Sequence, residues 1–328
     1  MNKQTRRGAL KLLARGCGAA ASTALPAFAQ GEHFPSKIIR IVVPYPAGGT
    51  TDQLARAVAE PMSTILGQTV LIDNKPGAGG TIGAEYVAKQ PADGYTLLFG
   101  NSGPSATITL MRKVPYDVHK DFEPLSGVVK VPFILAVSAD SPFKTTREFV
   151  DWARAQGTKL NYGSTGIGGS SHLTSEYFNQ LAGTKFQHIP YAGGAPLVTA
   201  FAGGQVQMAF VTGLDGAAMV QAGKIRYLAV GTASRSDVLP GLPPISEAVP
   251  GFDSLVWFGL LAPKGLPKDV AAKLSGAIQA SVKKPEVSKF FIERNVEPWG
   301  SSPKELGDMI DDELKKWAPI VKEANITM

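Results

Sequence analysis

A short apolar run that ends in a glycine-rich loop and passes straight into an amphipathic helix recurs through this chain, and it restricts the fold more than any other feature. The loops are Pro46-Ala47-Gly48-Gly49-Thr50, Pro76-Gly77-Ala78-Gly79-Gly80-Thr81, Gly163 through Ser171, and Tyr191-Ala192-Gly193-Gly194. Strands alternating with helices specify an α/β fold, because parallel strands need a crossover of helical length between them. The first unit shows the pattern: Ile38 to Val43 is an apolar strand broken only by Arg40, and Thr51 to Leu66 places Leu54, Val58, Met62 and Ile65 at helical spacing. In an open α/β sheet the strand-to-helix turns lie at the carboxyl edge, which is where ligands bind.

The same alternation continues to the C-terminus. Val70 to Ile72 and Tyr95 to Phe99 read as further strands, and Phe133 to Val137 as a strand leaving the first unit. Thr145-Thr146-Arg147-Glu148 and Ser302-Pro303-Lys304-Glu305 are capping boxes that open helices. Strands at 160–162, 186–189, 206–211 and 225–230 build a second unit, after which 267–325 is mainly helical. The order predicts a discontinuous first domain, residues 36–137 plus 259–328, and a second domain, 138–258. Crossings near Val137 and Phe258 make a two-strand hinge. With 328 residues, 44% hydrophobic and 18% charged, the chain is long enough and apolar enough for two such domains.

The first 29 residues read as a signal peptide. Lys3, Arg6, Arg7, Lys11 and Arg15 precede a short apolar stretch that ends in Ala27-Phe28-Ala29, an A-x-A cleavage pattern. Thr5-Arg6-Arg7 resembles the twin-arginine export pattern, with general secretion as the alternative route. The leader changes the charge argument. The whole chain has 33 basic and 27 acidic residues, and five of the basic ones lie in the leader, so the mature chain carries 28 against 27. A net charge near +1 gives no support to nucleic-acid binding. Cys17, the single cysteine, is also in the leader, which leaves the mature chain without thiol chemistry.

The loop chemistry points to an anion. Glycine lets the backbone approach a ligand closely, and free N–H groups at a helix start, with the helix dipole behind them, favour negative charge. Thr and Ser add neutral hydroxyl donors, while the loops contain no Arg. Enzyme motifs fail: Ile82 and Ser171 stand where a dinucleotide fingerprint needs its third glycine, no Walker lysine follows a glycine loop, and there is no G-x-S-x-G elbow. Four histidines without an H-E-x-x-H pattern argue against a metal site, and no cofactor is expected. Ser170 and Ser171 are helix caps or ligand donors, and His172 a ligand donor or a structural hydrogen-bonder. Ser171 and His172 are adjacent on a helix and therefore poorly placed as a nucleophile pair. Asp52 and Asp215 each open a helix, where capping is the default role and a salt bridge to a ligand amine the sharper one. Tyr45 and Tyr191 adjoin the loops and can pack on an apolar ligand body.

Several segments resemble the Bug receptors, the solute-binding components of tripartite tricarboxylate transporters. They are Val43 through Asp52, Asn74 through Gly83, Pro91 through Leu97, Gly163 through Leu173, Pro190 through Gly194, and Gly223 through Val230. The resemblance implies a type II periplasmic-binding-protein fold whose two domains close on a ligand, and a periplasmic monomer that serves membrane permease subunits. It implies that Ala47, Gly48, Gly49 and Thr50, helped by Gly79 and the Asn101-Ser102 loop, hold one ligand carboxylate. Thr165, Gly166, Ser170, Ser171, His172, Tyr191, Ala192 and Gly193 would recognise the rest. Amino-acid, di- and tricarboxylic and aromatic acids are the ligands that the resemblance suggests. Thr212-Gly213-Leu214-Asp215-Gly216 departs from the commoner family wording. A sensor feeding a signalling partner and an exported serine hydrolase are the competing readings.

Overall fold

The computed structural model describes residues 34–323, so the leader reading of residues 1–29 lies outside the described residues. In chain order, β1 (Ile39–Val43), α1 (Thr50–Leu66), β2 (Val70–Asn74), α2 (Thr81–Ala88) and β3 (Thr96–Asn101) lead through two short helices, α3 (Ile108–Met111) and α4 (Val118–Asp121), into the long strand β4 (Phe122–Pro132). A second series follows: β5 (Ile134–Ser138), α5 (Thr146–Gln156), β6 (Asn161–Ser164), α6 (Ser170–Ala182), β7 (Gln187–Pro190), α7 (Gly194–Ala202), β8 (Met208–Val211), α8 (Gly213–Gln221) and β9 (Ile225–Val230). The chain closes with β10 (Leu255–Pro263), α9 (Lys268–Val282), α10 (Pro285–Ile292), β11 (Glu297–Pro298) and α11 (Pro303–Glu323).

The strands form two sheets, a six-stranded one in the order β11-β4-β10-β3-β1-β2 and a five-stranded one in the order β7-β6-β8-β5-β9. This is a two-domain α/β fold. In the first sheet β1 runs parallel to β2 and β3, and β10 runs antiparallel to β3 and β4. The second repeats the plan, with β6 parallel to β7 and β8, and β5 antiparallel to β8 and β9. Strands covered on both faces need continuous apolar runs. β1 meets this with Ile39, Ile41, Val42 and Val43 fully buried.

Strand pairing crosses between the sheets at Phe133, because residues 134–138 pair with β8 and β9. It crosses back between Val230 and Leu255, because the whole of β10 pairs in the first sheet. At this junction the Gly231 N–H donates to the Phe133 carbonyl at 2.7 Å, and the Ser254 N–H donates to the Gly231 carbonyl at 2.7 Å. A Cβ on Gly231 would stand 2.7 Å from the Ser254 oxygen, so the two crossings touch only because this residue has no side chain.

Both expected capping boxes form. The Thr145 Oγ1 accepts the Glu148 N–H at 3.2 Å, and the Ser302 Oγ accepts the Glu305 N–H at 3.2 Å, with each glutamate accepting the N-cap N–H in return. Helix α11 starts on the first sheet and ends against the second series. Its Trp317 and Val321 share a buried cluster with Ile108, Met111 and Leu173 of α6, and Lys316 pairs with Asp253 at 2.8 Å. From Pro35 onward the described chain is one compact unit.

Candidate functional site

The helix starts of both sheets face each other across a small chamber of about 50 Å³. Its walls are Gly49, Thr50 and Thr51 at the start of α1, Ser170 and Ser171 of α6, Gly193 to Pro196 of α7, and Thr212 with Asp215 of α8. Phe133 at the first crossing, Phe210 of β8, and Val256 and Phe258 of β10 add an apolar surface. Each helix start carries roughly half a positive charge, so four of them around one chamber favour negative charge there, although no lysine or arginine lines it. The strands place them there. β1, β6, β7 and β8 each end at the carboxyl edge of their sheet, and the four helices begin directly beyond.

Glycine makes the close approach of the walls possible. Gly79 has φ +65°, and a Cβ on it would lie 2.3 Å from the Ile167 carbonyl oxygen on the opposite wall. Tyr45 donates its hydroxyl to the Gly79 carbonyl at 3.3 Å, and burial, partly offset by a bond with Asn101, pushes its pKa up to about 12. An adjoining chamber of about 440 Å³ shares Tyr45, Pro46 and Thr165 with the first and is lined by Gly77 to Gly80, Arg112, Gly166, Ile167, Tyr191 and Ala192.

Of the residues expected from the sequence, the two chambers bring together Tyr45, Gly49, Thr50, Gly79, Asn101, Thr165, Gly166, Ser170, Ser171, Tyr191, Ala192, Gly193 and Asp215. Ala47, Gly48, Asp52, Ser102 and His172 do not line either. Ala47 and Gly48 are exposed on the outer rim. Asp52 fastens the first loop from behind: its carboxylate accepts the Gly48 N–H at 3.0 Å, the Arg56 Nε at 2.9 Å and the Asn74 amide at 3.0 Å. Desolvation raises its pKa, but the bonds from Arg56, Gly48 and Asn74 outweigh that and hold it below the ordinary carboxylate value. The Ser102 Oγ accepts the Trp257 N–H at 3.2 Å and so pins β3 to β10.

His172 lies behind the Gly163–Ser171 loop. Its Nδ1 accepts the Gly168 N–H at 3.1 Å, and its ring stacks on His188 with centroids 3.9 Å apart. Burial pushes the pKa of His172 down to about 4, and burial together with His172 pushes His188 down to about 3. Both are therefore neutral packing groups near neutral pH. The Ser171 Oγ accepts the Thr165 N–H at 2.9 Å and lies 3.0 Å from the Thr165 hydroxyl, which leaves it paired within its own loop. The Ser170 Oγ is buried without a hydrogen-bond partner among the described residues, on a wall of the inner chamber.

Asp215 behaves unlike Asp52. Its Oδ1 accepts the Thr50 N–H from the other sheet's helix at 3.0 Å, its Oδ2 accepts the Thr212 hydroxyl at 3.0 Å, and the Thr50 and Thr212 hydroxyls are 2.5 Å apart. Burial raises its pKa against the bonds from Thr50 and Thr212. The expected site residues did not include Pro46, Thr51, Phe133, Gly194, Ala195, Pro196, Phe210, Thr212, Val256 or Phe258 of the inner chamber, nor Gly77, Ala78, Gly80, Arg112, Ile167 or Pro190 of the adjoining one. Gly194 to Pro196 simply continue a loop already identified. Thr212 carried an N-cap signal three residues before Asp215. The four apolar residues read as core and carried no signal.

Known proteins share this fold. The family profile described as "Tripartite tricarboxylate transporter family receptor" matches residues 54–326. The chain belongs to the tripartite tricarboxylate transporter receptor family. The receptor is 38% identical over 300 residues to a Bordetella bronchiseptica relative, an alignment covering 91% of this chain and 89% of the relative. It is similar to a Rhodopseudomonas palustris protein solved with adipate, at 35% identity and a TM-score of 0.86 over 90% of this chain and 99% of that one. It is also similar to MatC from Rhodopseudomonas palustris solved with bound malate, at 30% identity and a TM-score of 0.83 over 88% of this chain and all (100%) of that one.

Proposed function

We propose that this receptor captures a small organic carboxylate between its two sheets and delivers it, unaltered, to the membrane permease subunits of a tripartite tricarboxylate transporter. The observation that carries the reading is the convergence of four helix starts, from both sheets, on one chamber rich in neutral hydroxyl and N–H donors. An anion held by the inner chamber alone meets no fixed cation, since Arg112 lines only the adjoining one, and so can be released when the walls part. The adipate and malate seen in related structures have the chemistry this site would take. The ligand-binding residues are those that line the two chambers, including Thr50, Ser170, Ser171, Gly193 and Asp215. The family setting supports a periplasmic location, with a leader removed near Ala29. The two lobes would be those built on the two sheets, moving about Phe133 and residues 231–254.

A thermal-shift screen against amino acids, dicarboxylates and aromatic acids tests the reading. A ligand at 100 times its Kd is expected to add about 2.7 kcal/mol of stability. The ligand should be recovered chemically unchanged at one equivalent per chain. A flat response to every carboxylate, or consumption of the ligand that stops in Ser171→Ala, would overturn it.

A further inference from the structure

Asp215 is the one charged side chain lining the inner chamber among the described residues. It does not serve its own helix with its carboxylate. α8 is capped by Thr212, whose Oγ1 accepts the Asp215 N–H at 3.2 Å, while the carboxylate reaches over to Thr50 on the facing wall. The neighbouring wall makes room for that reach: a Cβ on Gly194 would lie 2.3 Å from the Asp215 Oδ1. The comparable acid of α1, Asp52, is neutralised by Arg56 at 2.9 Å, whereas no Lys, Arg or His is among the residues lining the chamber with Asp215.

The Thr50 N–H lies among the donors at the start of α1 that a ligand carboxylate in this chamber would meet, beside the Thr51 N–H that the N-cap residue Gly49 has no side chain to cap. A ligand that takes the Thr50 N–H leaves the Asp215 carboxylate one donor short, with only the Thr212 and Thr50 hydroxyls, and sets a second carboxylate beside it. A buried acid short of donors and next to a like charge is unfavourable on both counts. A ligand that carries its own cationic N–H removes both penalties, because it returns a donor and cancels the repulsion. A di- or tricarboxylate removes neither.

We infer that Asp215 sets specificity for a zwitterion: a carboxylic acid with a protonated nitrogen near its carboxylate, of which the α-amino acids are the simplest class. The nitrogen donates to Asp215, and the carboxylate accepts from the starts of α1 and α6. The inference rests on the receptor reading above and narrows it to one class of acid.

Calorimetric titration of the mature protein with pairs that differ only in the amine tests it. Suitable pairs are L-leucine and 4-methylpentanoate, L-phenylalanine and 3-phenylpropanoate, L-glutamate and glutarate, and L-aspartate and succinate. At least one amine-bearing member should bind roughly 10- to 100-fold more tightly than its partner, the range expected for a charge-assisted hydrogen bond. The isosteric Asp215→Asn should erase that margin while binding the amine-free partner as well as before or better. Amine-free acids binding as tightly as their amines in the parent protein would overturn the inference without needing any variant. So would an equal loss for both members in Asp215→Asn, which marks Asp215 as a wall-to-wall contact only. Failure of every acid to bind overturns the receptor reading itself, and this inference with it.

Discussion

Near pH 8 the Glu313→Gln variant is expected to be more stable than the parent chain by about 3 kcal/mol, and near pH 4.5 the two should be equal. Glu313 lies on α11 and is 6% exposed. It accepts the Trp317 Nε1–H at 3.1 Å and shares a pocket behind the inner chamber with Ser102, Thr107, Ser170 and Leu173. Desolvation raises its pKa to about 7, against the pull of Lys316, Trp317 and Ser102. The folded chain therefore holds a proton that the unfolded chain has already lost between the ordinary value of 4.5 and about 7. Stability falls as pH rises through that window, by about 1.4 kcal/mol for each unit of separation. Gln reproduces the protonated acid, so it removes the penalty at high pH and changes little at low pH. His172 and His188 act in the opposite sense. Their depressed values mean that stability is lost as pH falls below the ordinary histidine range, since the unfolded chain takes up protons first. The parent's own pH profile is flattened by the two effects, and only its difference from Glu313→Gln, followed by denaturant titration, isolates the carboxyl. A difference that does not change with pH would mean that Glu313 ionises at its ordinary value.

Asp52 and Asp215 show how far the sequence could be read and where it stopped. Both stand in the first turn of a helix, both follow a strand and a small-residue loop, and the same two roles are open to each. Local pattern cannot separate them, because the difference lies in what the rest of the fold brings up. α1 supplies Arg56 one turn on, at 2.9 Å from Asp52. α8 has no basic residue in its length, and Asp215 instead meets Thr50, 165 residues away in the chain. The glycine loops were legible for the opposite reason. Strand, loop and helix start are contiguous, so the position of Thr50, Ser170 or Gly193 at a helix start follows from sequence neighbours alone. Ser102, expected beside the ligand, bonds Trp257, and His172, for which a ligand role and a structural role were both open, bonds Gly168 and stacks on His188; Trp257 and His188 are too distant in sequence to leave a local trace. Phe133 of the first crossing, Phe210 of β8, and Val256 and Phe258 of β10 line the chamber because these strands meet beneath it. An apolar residue on a strand looks the same whether it faces a core or a ligand.

The largest loss of binding is expected from the smallest change, Gly79→Ala. The added methyl would stand 2.3 Å from the Ile167 carbonyl oxygen, a backbone atom that cannot rotate out of the way. Relief requires the two walls to separate, and the chamber between them is then open to water on that side. Affinity for a bound carboxylate should fall at least about 100-fold, because every hydrogen bond made by both walls together is weakened at once. The ligand-free protein should lose only the cost of a left-handed alanine, about 1 kcal/mol. Gly48→Ala provides the control. Gly48 also has positive φ, +88°, but a Cβ there meets nothing within 4 Å. It carries the same kind of backbone strain in a loop of the same site without touching the opposite wall, so its affinity should stay within a few-fold of the parent's. Calorimetry on both variants separates the causes. Equal losses would trace the effect to loop strain. A loss confined to Gly79→Ala would show that the contact between Gly79 and Ile167 is what lets the two walls close on a ligand.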